Sequence, residues 1–543
     1  MAFTVDILTI QEAATDEAVE SRARAIESIQ TAAAENPIIL DFDKTLFLRN
    51  STAEYLNSIS PRPLGAAYLL AINAFQPWKW FNRWIEEEAS KDWLIVVVAT
   101  LLFPWTLLIW RARAKQAASA HWNLSLTGAI AQNPAAKVFV ASNGFSWIIN
   151  PLLKHLPDEV KTRIEQQSIA CRFWQGLSDA RKSKLQRIAR VLDKETIARA
   201  TLVTPKSADS ESAPSVKTFC LARWPEAVDV PPMLDVYVPL VYSERVKNPG
   251  KSHIMKRVVA GHWAFLVLAF SFLSPHFLLN AAGLALLALS YWCVYEIGYW
   301  HNDIIGQEYE NRPMLSDTFE LYKDKLRLDT GAPWGWAVGL TIPAMVLIEA
   351  SKIEQPVLAA IETAGNHWQT LALNSTIWIC FLLAVHATFW IYNQFNEETR
   401  IWIYPFLQTQ KLFGFTMIMS TNAIGAVLLL SLAVSRWLHY TIYRCGGDRD
   451  RFPLNTCCLV LFVLGFFATT LSSLEPTVLL TWQAGVAFVY CLVRGVRGFH
   501  REPNSISLVS QHSVSPVEPS VSDSSHQTTT RIALSAFKPM SRD

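Results

Sequence analysis

Ile38-Ile39-Leu40-Asp41-Phe42-Asp43-Lys44-Thr45-Leu46 decides how the first half of this chain folds. Three aliphatic residues follow Pro37 and run without a polar break into two aspartates spaced i, i+2. A short apolar run bounded by turn-forming residues reads as a buried strand. Two carboxylates leaving a strand end at this spacing can divide labour: one faces an electrophile as nucleophile, the next serves as acid and base, and a cation organises both. The bland reading is two aspartates that cap a turn.

Outward from this stretch, Asn36 to about Pro225 alternates short strands (Pro37 to Leu40, Lys137 to Ala141, Thr201 to Thr204) with helical segments, the pattern of an α/β domain. One insertion breaks it. Leu64 to Phe75 and Trp93 to Trp110 are strongly apolar, and the second is an uncharged run of 18 residues, near the minimum for a bilayer span. Trp78, Trp80, Trp84, Trp93, Trp105 and Trp110 crowd its ends, as in an interfacial aromatic belt. The insertion reads as a hairpin that dips into or crosses a membrane, or else as a buried core hairpin.

Three further segments follow the aspartate pair in a telling order. Val138-Phe139-Val140-Ala141-Ser142-Asn143 is a second strand ending in a hydroxyl, Gly176 to Ile188 carries Lys182 and Lys184, and Val203-Thr204-Pro205-Lys206-Ser207-Ala208-Asp209 leaves a third strand. Together these resemble the four motifs of the haloacid dehalogenase superfamily. The resemblance implies a Rossmann-like α/β fold, Asp41 as nucleophile, Asp43 as general acid/base, Ser142 on the phosphoryl group, Thr45 near the substrate, and Lys184 bridging nucleophile and phosphate. It also implies Mg²⁺ held by Asp41, Asp43 and an acid of the fourth motif. There Pro205 stands in place of that motif's first aspartate, which leaves Asp209 as the ligand, with Glu211 as an alternative. The apolar insertion falls where that family often places its substrate-selecting cap.

From about His262 onward apolar segments dominate, with helices read near Trp263 to Ser274, Phe277 to Trp300, Pro333 to Ile348, Ile377 to Trp390, Phe413 to Val434, Cys457 to Leu474 and Val478 to Leu492, about seven spans. The basic stretch Arg245 to Arg257 puts the start of the first on the cytosolic side, together with the α/β domain. The same count leaves Arg436, Arg444, Arg449 and Arg451 outside, against the positive-inside tendency. Tyr299-Trp300-His301-Asn302-Asp303 ends one helix and Trp390-Ile391-Tyr392-Asn393-Gln394 ends another, a faint internal echo.

The run from Tyr295 through Asn302-Asp303-Ile304-Ile305-Gly306-Gln307-Glu308-Tyr309-Glu310-Asn311-Arg312-Pro313 resembles the first aspartate-rich motif of UbiA-type intramembrane prenyltransferases. That resemblance implies Mg²⁺ on Asp303 and Glu310, with Asn302, Glu308 and Arg312 toward a diphosphate. It also implies a second motif at Asn393-Gln394-Phe395-Asn396-Glu397-Glu398-Thr399-Arg400, where Asn393, Glu397 and Arg400 face substrate. The second acid of the first motif is here Gly306, and seven helices fall short of that family's usual nine.

Composition sets the bounds. Of 543 residues 51% are hydrophobic and only 17% charged, which points to lipid, and a net charge of +2 without a long basic run argues against nucleic acid. The eight cysteines show no CxxC pair or metal spacing and read as buried free thiols. Met1 to Ala34 suits an amphipathic helix and lacks a signal peptide's apolar region. The expected fold class is an α/β Rossmann-like haloacid dehalogenase domain with an apolar cap insertion, followed by an all-α polytopic transmembrane bundle. The expected boundaries are an N-terminal helix over 1–35, the α/β domain over 36–230 with its cap over 60–120, a linker over 231–260, the bundle over 261–500 and a disordered tail over 501–543. The function to expect is a membrane enzyme that transfers a prenyl or polyprenyl-phosphate-linked group, coupled to a phosphatase-like domain. The alternatives are a membrane-anchored lipid or sugar phosphatase, or a non-catalytic membrane protein with decayed motifs. Membrane lipid and a prenyl or polyprenyl phosphate are the partners implied.

Overall fold

A computed structural model describes residues 19–81, 87–164, 168–172, 179, 182–206, 213–310, 313, 315–396, 398–447, 452–472 and 480–501. Five strands, β1 (Ile38–Asp41), β2 (Val138–Phe145), β3 (Ile169–Cys171), β4 (Thr201–Thr204) and β5 (Thr218–Leu221), form one wholly parallel sheet in the order β3-β2-β1-β4-β5. The aspartate-bearing strand is thus central. Every residue of β1 is buried, which explains its unbroken apolar run: Ile38 and Leu40 pack into the large core, Ile39 into a second core with Ala141, Ile188 and Leu202 on the opposite face. Each such side chain contributes roughly 1.5–3 kcal/mol by burial. Pairing of Ile38 with Val138 and Thr201 aligns the carboxyl ends of β1, β2 and β4 on one edge.

The insertion consists of α1 (Arg62–Phe75), α2 (Glu87–Leu102) and α3 (Thr106–His121). The apolar run Trp93 to Trp110 is not one straight helix. It breaks at Phe103-Pro104-Trp105, where proline cannot continue the hydrogen-bond ladder, and the two halves bend by 113°. The inner faces belong to the core, with Val96 and Ala99 buried and the Trp110 indole donating to the Ile148 carbonyl at 3.0 Å. Leu101, Leu102, Trp105 and Leu108 at the corner are exposed. The hairpin thus has a packed inside, as the core reading expects, and an exposed apolar corner; by length and composition the bent pair is a broken span or a re-entrant loop.

Helix α4 (Lys184–Ile188) returns to the sheet. The second half begins with π-helical turns over Ile254–Trp263 that continue into α5 (Ala264–Phe270). It proceeds through α6 (Phe277–Tyr309), α7 (Ala332–Ser351), α8 (Trp368–Gln394), α9 (Arg400–Phe413), α10 (Ala423–Arg444), α11 (Leu454–Ser472) and α12 (Trp482–Arg501). Among the described residues six helices are long and apolar enough to cross a membrane: Ile254–Leu273, α6, α7, α8, α10 and α11; the count reaches seven if the bent pair of the insertion is one span. This is a multi-pass membrane protein.

Five sequence expectations change here. The first span starts at Ile254, not near Trp263. The expected helix Phe413 to Val434 is interrupted, because α9 ends at Phe413 and α10 starts only after Asn422, whose side chain caps it by accepting from the Gly425 amide at 2.9 Å. The last expected span becomes α12, which carries Arg494, Arg497 and Arg501 and falls outside the apolar set. Arg436 is also no loop residue. It is buried in α10 and donates to the Gly261 carbonyl, so the positive-inside count had assigned to a loop a charge that sits within the bundle. Of the eight free cysteines, Cys380 and Cys445 are exposed rather than buried.

Candidate functional site

The chain leaves β1 through a tight loop in which the Lys44 amide bonds the Phe47 carbonyl at 2.7 Å and the Phe47 amide the Phe42 carbonyl at 2.9 Å. Lys44 takes a left-handed φ of 62°, uncommon for a side-chain-bearing residue and frequent at functional turns. The loop fixes both aspartates. Asp41, 3% exposed, accepts from the Lys184 ammonium at 2.9 Å and the Thr204 hydroxyl at 3.2 Å through Oδ2, and from the Phe42 amide at 2.9 Å through Oδ1. Asp43 accepts from the Ser51 amide at 2.6 Å and from the Ser142 hydroxyl at 2.9 Å. The structure thus gathers Asp41, Asp43, Ser142 and Lys184 at the carboxyl edge of β1, β2 and β4.

Local sequence explains each placement. Ser183 caps α4 in a capping box with Gln186, which seats Lys184 in the first turn, buried and facing β1. Of the two lysines in that region Lys184 alone reaches Asp41; Lys182 lies 4.0 Å from Asp179. Asp179 is itself tied to Arg190 and, at 3.0 Å, to the Arg172 amide. Burial alone would raise its carboxyl, but those bonds and the two guanidinium charges outweigh it and hold Asp179 below its ordinary value. Thr45 is fully buried; its carbonyl accepts from Asn123 at 2.9 Å, and its hydroxyl has no partner among the described residues. Thr204, which sequence reading passed over beside the conspicuous Pro205, bonds the Asp41 carboxylate; its position as the last residue of a strand was the available signal. Asp209 and Glu211 lie outside the described residues.

A second acidic locus sits at the end of α6. Asp303 is 4% exposed and accepts from Tyr242 at 2.8 Å while forming an ion pair with Lys247. Burial, then the Asp303 charge, push the Tyr242 phenol up, so it donates as a neutral hydroxyl. Glu310 pairs with Arg400 at 2.5 Å, and that guanidinium lies 5.2 Å over the Tyr392 ring. Glu308 is exposed; Asn302 and Asn393 each have a buried amide oxygen without a partner among the described residues. Arg312 and Glu397 lie outside the described residues. The geometry therefore does not bring Asp303 and Glu310 together on one open face: each is neutralised by its own cation. Lys247 and Tyr242 were not foreseen, because they lie some sixty positions upstream of Asp303 in what read as a linker.

That segment is ordered and runs between the two loci. Asp229 pairs with Lys44 at 2.6 Å, the Met233 amide bonds Asn57 at 2.6 Å, and Asp235 pairs with Arg62 at 2.6 Å. Glu296, fully buried in α6, then accepts from the Tyr237 hydroxyl at 3.0 Å and the Leu240 and Ser243 amides at 2.9 and 2.6 Å. Tyr242 and Lys247 complete the strap on Asp303.

No family model, no curated protein and no solved structure matches this chain. Among the described residues no group of three or more His, Cys, Asp or Glu side chains is gathered to hold a metal.

Proposed function

We propose that this protein is a membrane-anchored phosphatase of the haloacid dehalogenase type acting on a phosphorylated lipid or sugar. The observation that carries the reading is the convergence of Asp41, Asp43, Ser142 and Lys184 at one sheet edge. The parallel order β3-β2-β1-β4-β5, with the aspartate strand central and the insertion between β1 and β2, supports it. Asp41 attacks phosphorus through a carboxylate oxygen, the phosphorus–oxygen bond to the leaving group breaks, and Asp43 protonates the departing alkoxide. The aspartyl phosphate is then attacked by water, which gives its proton to Asp43, and phosphate leaves as Asp41 is restored. Lys184 and Ser142 hold the phosphoryl oxygens, and Thr204 orients the nucleophile.

Asp41 and Asp43 offer hard carboxylate oxygens, and the unpartnered Thr45 hydroxyl marks the loop that follows them as incompletely satisfied, which fits Mg²⁺. Asp41 and Asp43 would hold the ion, with Asp209 as a third donor, and when bound it supplies charge neutralisation for the phosphoryl group. The exposed corner of the hairpin, as the family's cap, would select a lipid-linked phosphate and keep this domain at the cytosolic face.

A second reading adds catalysis to the bundle: a UbiA-like transfer of a prenyl or polyprenyl-phosphate-linked group. The buried Asp303 at a span end favours it, since ionisable groups at membrane depth usually serve function. The ion pairs that occupy Asp303 and Glu310 disfavour it. The deciding experiment measures Mg²⁺-dependent phosphate release from prenyl phosphates and phosphorylated sugars by wild type, Asp41→Asn and Asp303→Ala. The phosphatase reading expects release that vanishes in Asp41→Asn and persists in Asp303→Ala. No release by wild type overturns it, and prenyl transfer lost in Asp303→Ala establishes the second reading.

A further inference from the structure

A cavity of about 270 Å³ opens between α6 and α8, lined by His301 of the first echo motif and by Trp390 and Asn393 of the second, together with His386, Phe389 and Gly298. The two short sequences that echo one another thus share one pocket. Its floor is closed where the helices touch at Gly298, a position at which a Cβ would lie 2.3 Å from the Phe389 ring.

The lining is polar yet unsatisfied. The imidazoles of His301 and His386, with ring centres 6.4 Å apart, make no side-chain hydrogen bond among the described residues, and neither does the buried Oδ1 of Asn393, a residue only 6% exposed. Both helices are candidate spans, and in that setting a buried amide oxygen without a partner is costly, so Asn393 Oδ1 beside two half-buried imidazoles around a single void points to something that completes it. Among the described residues no Asp, Glu, Lys or Arg lines the cavity, and Asp303 and Glu310 are paired with Lys247 and Arg400. A charged head would enter without a counter-charge. The volume falls below the roughly 300–1,000 Å³ of pockets that enclose a whole drug-sized molecule. Trp390, 64% exposed, offers an apolar route outward along α8.

We propose that this pocket binds the uncharged oxygen head, hydroxyl or carbonyl, of a neutral membrane lipid, with His301, His386 and Asn393 as its hydrogen-bond partners and the tail running out past Trp390. The site stands apart from the phosphate chemistry at Asp41, and its test reads occupancy, not turnover.

The full chain in nanodiscs is labelled with a photoreactive fifteen-carbon isoprenoid alcohol, and the labelled peptides are mapped. Saturable labelling within residues 298–305 and 386–394 is expected, displaced by the unlabelled alcohol and not by its monophosphate. His301→Leu with His386→Leu should lower labelling roughly tenfold, the equivalent of about one lost hydrogen bond. Ile305→Trp, which fills the void from an apolar wall, should abolish it while the melting profile of the solubilised protein stays near wild type. Displacement by the monophosphate at equal or lower concentration would overturn the neutral-head assignment, and non-saturable labelling, or labelling unchanged in Ile305→Trp, would overturn the site.

Discussion

Lys184→Met offers the sharpest test of the sheet site. The lysine is 5% exposed and its ammonium lies 2.9 Å from a carboxylate that is itself 3% exposed. Methionine keeps the length of the stem and removes the charge. Asp41 then loses the ammonium at 2.9 Å, and neutral donors such as the Thr204 hydroxyl at 3.2 Å and the Phe42 amide at 2.9 Å do not replace a cation beside a buried charge. Breaking a buried pair from one side costs about 3–5 kcal/mol. For a domain of this size that lowers the melting transition by roughly 6–20 °C. Asp41→Asn in the same background removes the stranded charge, so the double variant should recover much of the loss, with a coupling energy of about 1–3 kcal/mol. Phosphate release by Lys184→Met alone should fall about 10²- to 10³-fold. Scanning fluorimetry of the solubilised protein and its three variants measures the cycle. Single variants that melt within about 2 °C of wild type, with additive effects, would show that the pair is not energetically closed and that its geometry cannot organise a nucleophile.

Four further outcomes follow from the same geometry. Asp179 has its carboxyl held below the ordinary value, so its stabilising contribution is complete above about pH 4 and is lost as pH falls through the folded value. Asp179→Asn should flatten the acid limb of the melting curve, and parallel acid limbs in the two proteins would exclude the linkage. Gly298→Ala forces a methyl into the Phe389 ring, and overpacking of this kind costs about 1–3 kcal/mol; an unchanged melting profile would mean that α6 and α8 do not meet there. Glu296→Leu strands the Leu240 and Ser243 amides, each costing about 1–3 kcal/mol, so limited trypsin should cut at Arg245 and Lys247 far faster than in wild type. Lys247→Met should make trypsin cleavage at Arg245 faster without altering phosphate release, since its partner is Asp303 and not the sheet site; a loss of release would tie the two chemistries together.

The sheet domain was readable because its signals are local. Strand β1 is apolar on both faces, and its exit residues announce themselves as an acidic pair; Ser142 was read as the end of a second strand, but β2 runs on to Phe145 and carries Ser142 within it. The partner of Asp41 was harder, since Lys182 and Lys184 look alike until the capping box of Ser183 decides which one faces the strand. Hydropathy marked most spans and failed where apolar character does not imply a single helix. Pro104 folds an 18-residue run into a corner, Gly414 to Asn422 split another, and α12 mixes apolar residues with arginines. The ion pairs of Asp303 and Glu310 were the least legible, because their cations lie far away in sequence and no periodicity connects them.

The strap over residues 229–247 has a consequence for how the protein can vary. One end of it is held by Lys44, the residue that follows Asp43 in the loop after β1, and the other holds Asp303 at the end of α6. A substitution in this stretch is answerable to both halves at once. The two halves are therefore poor candidates for exchange as modules: a graft of either from another chain would have to bring its own strap, or arrive with Asn57, Arg62 and Glu296 already matched to this one.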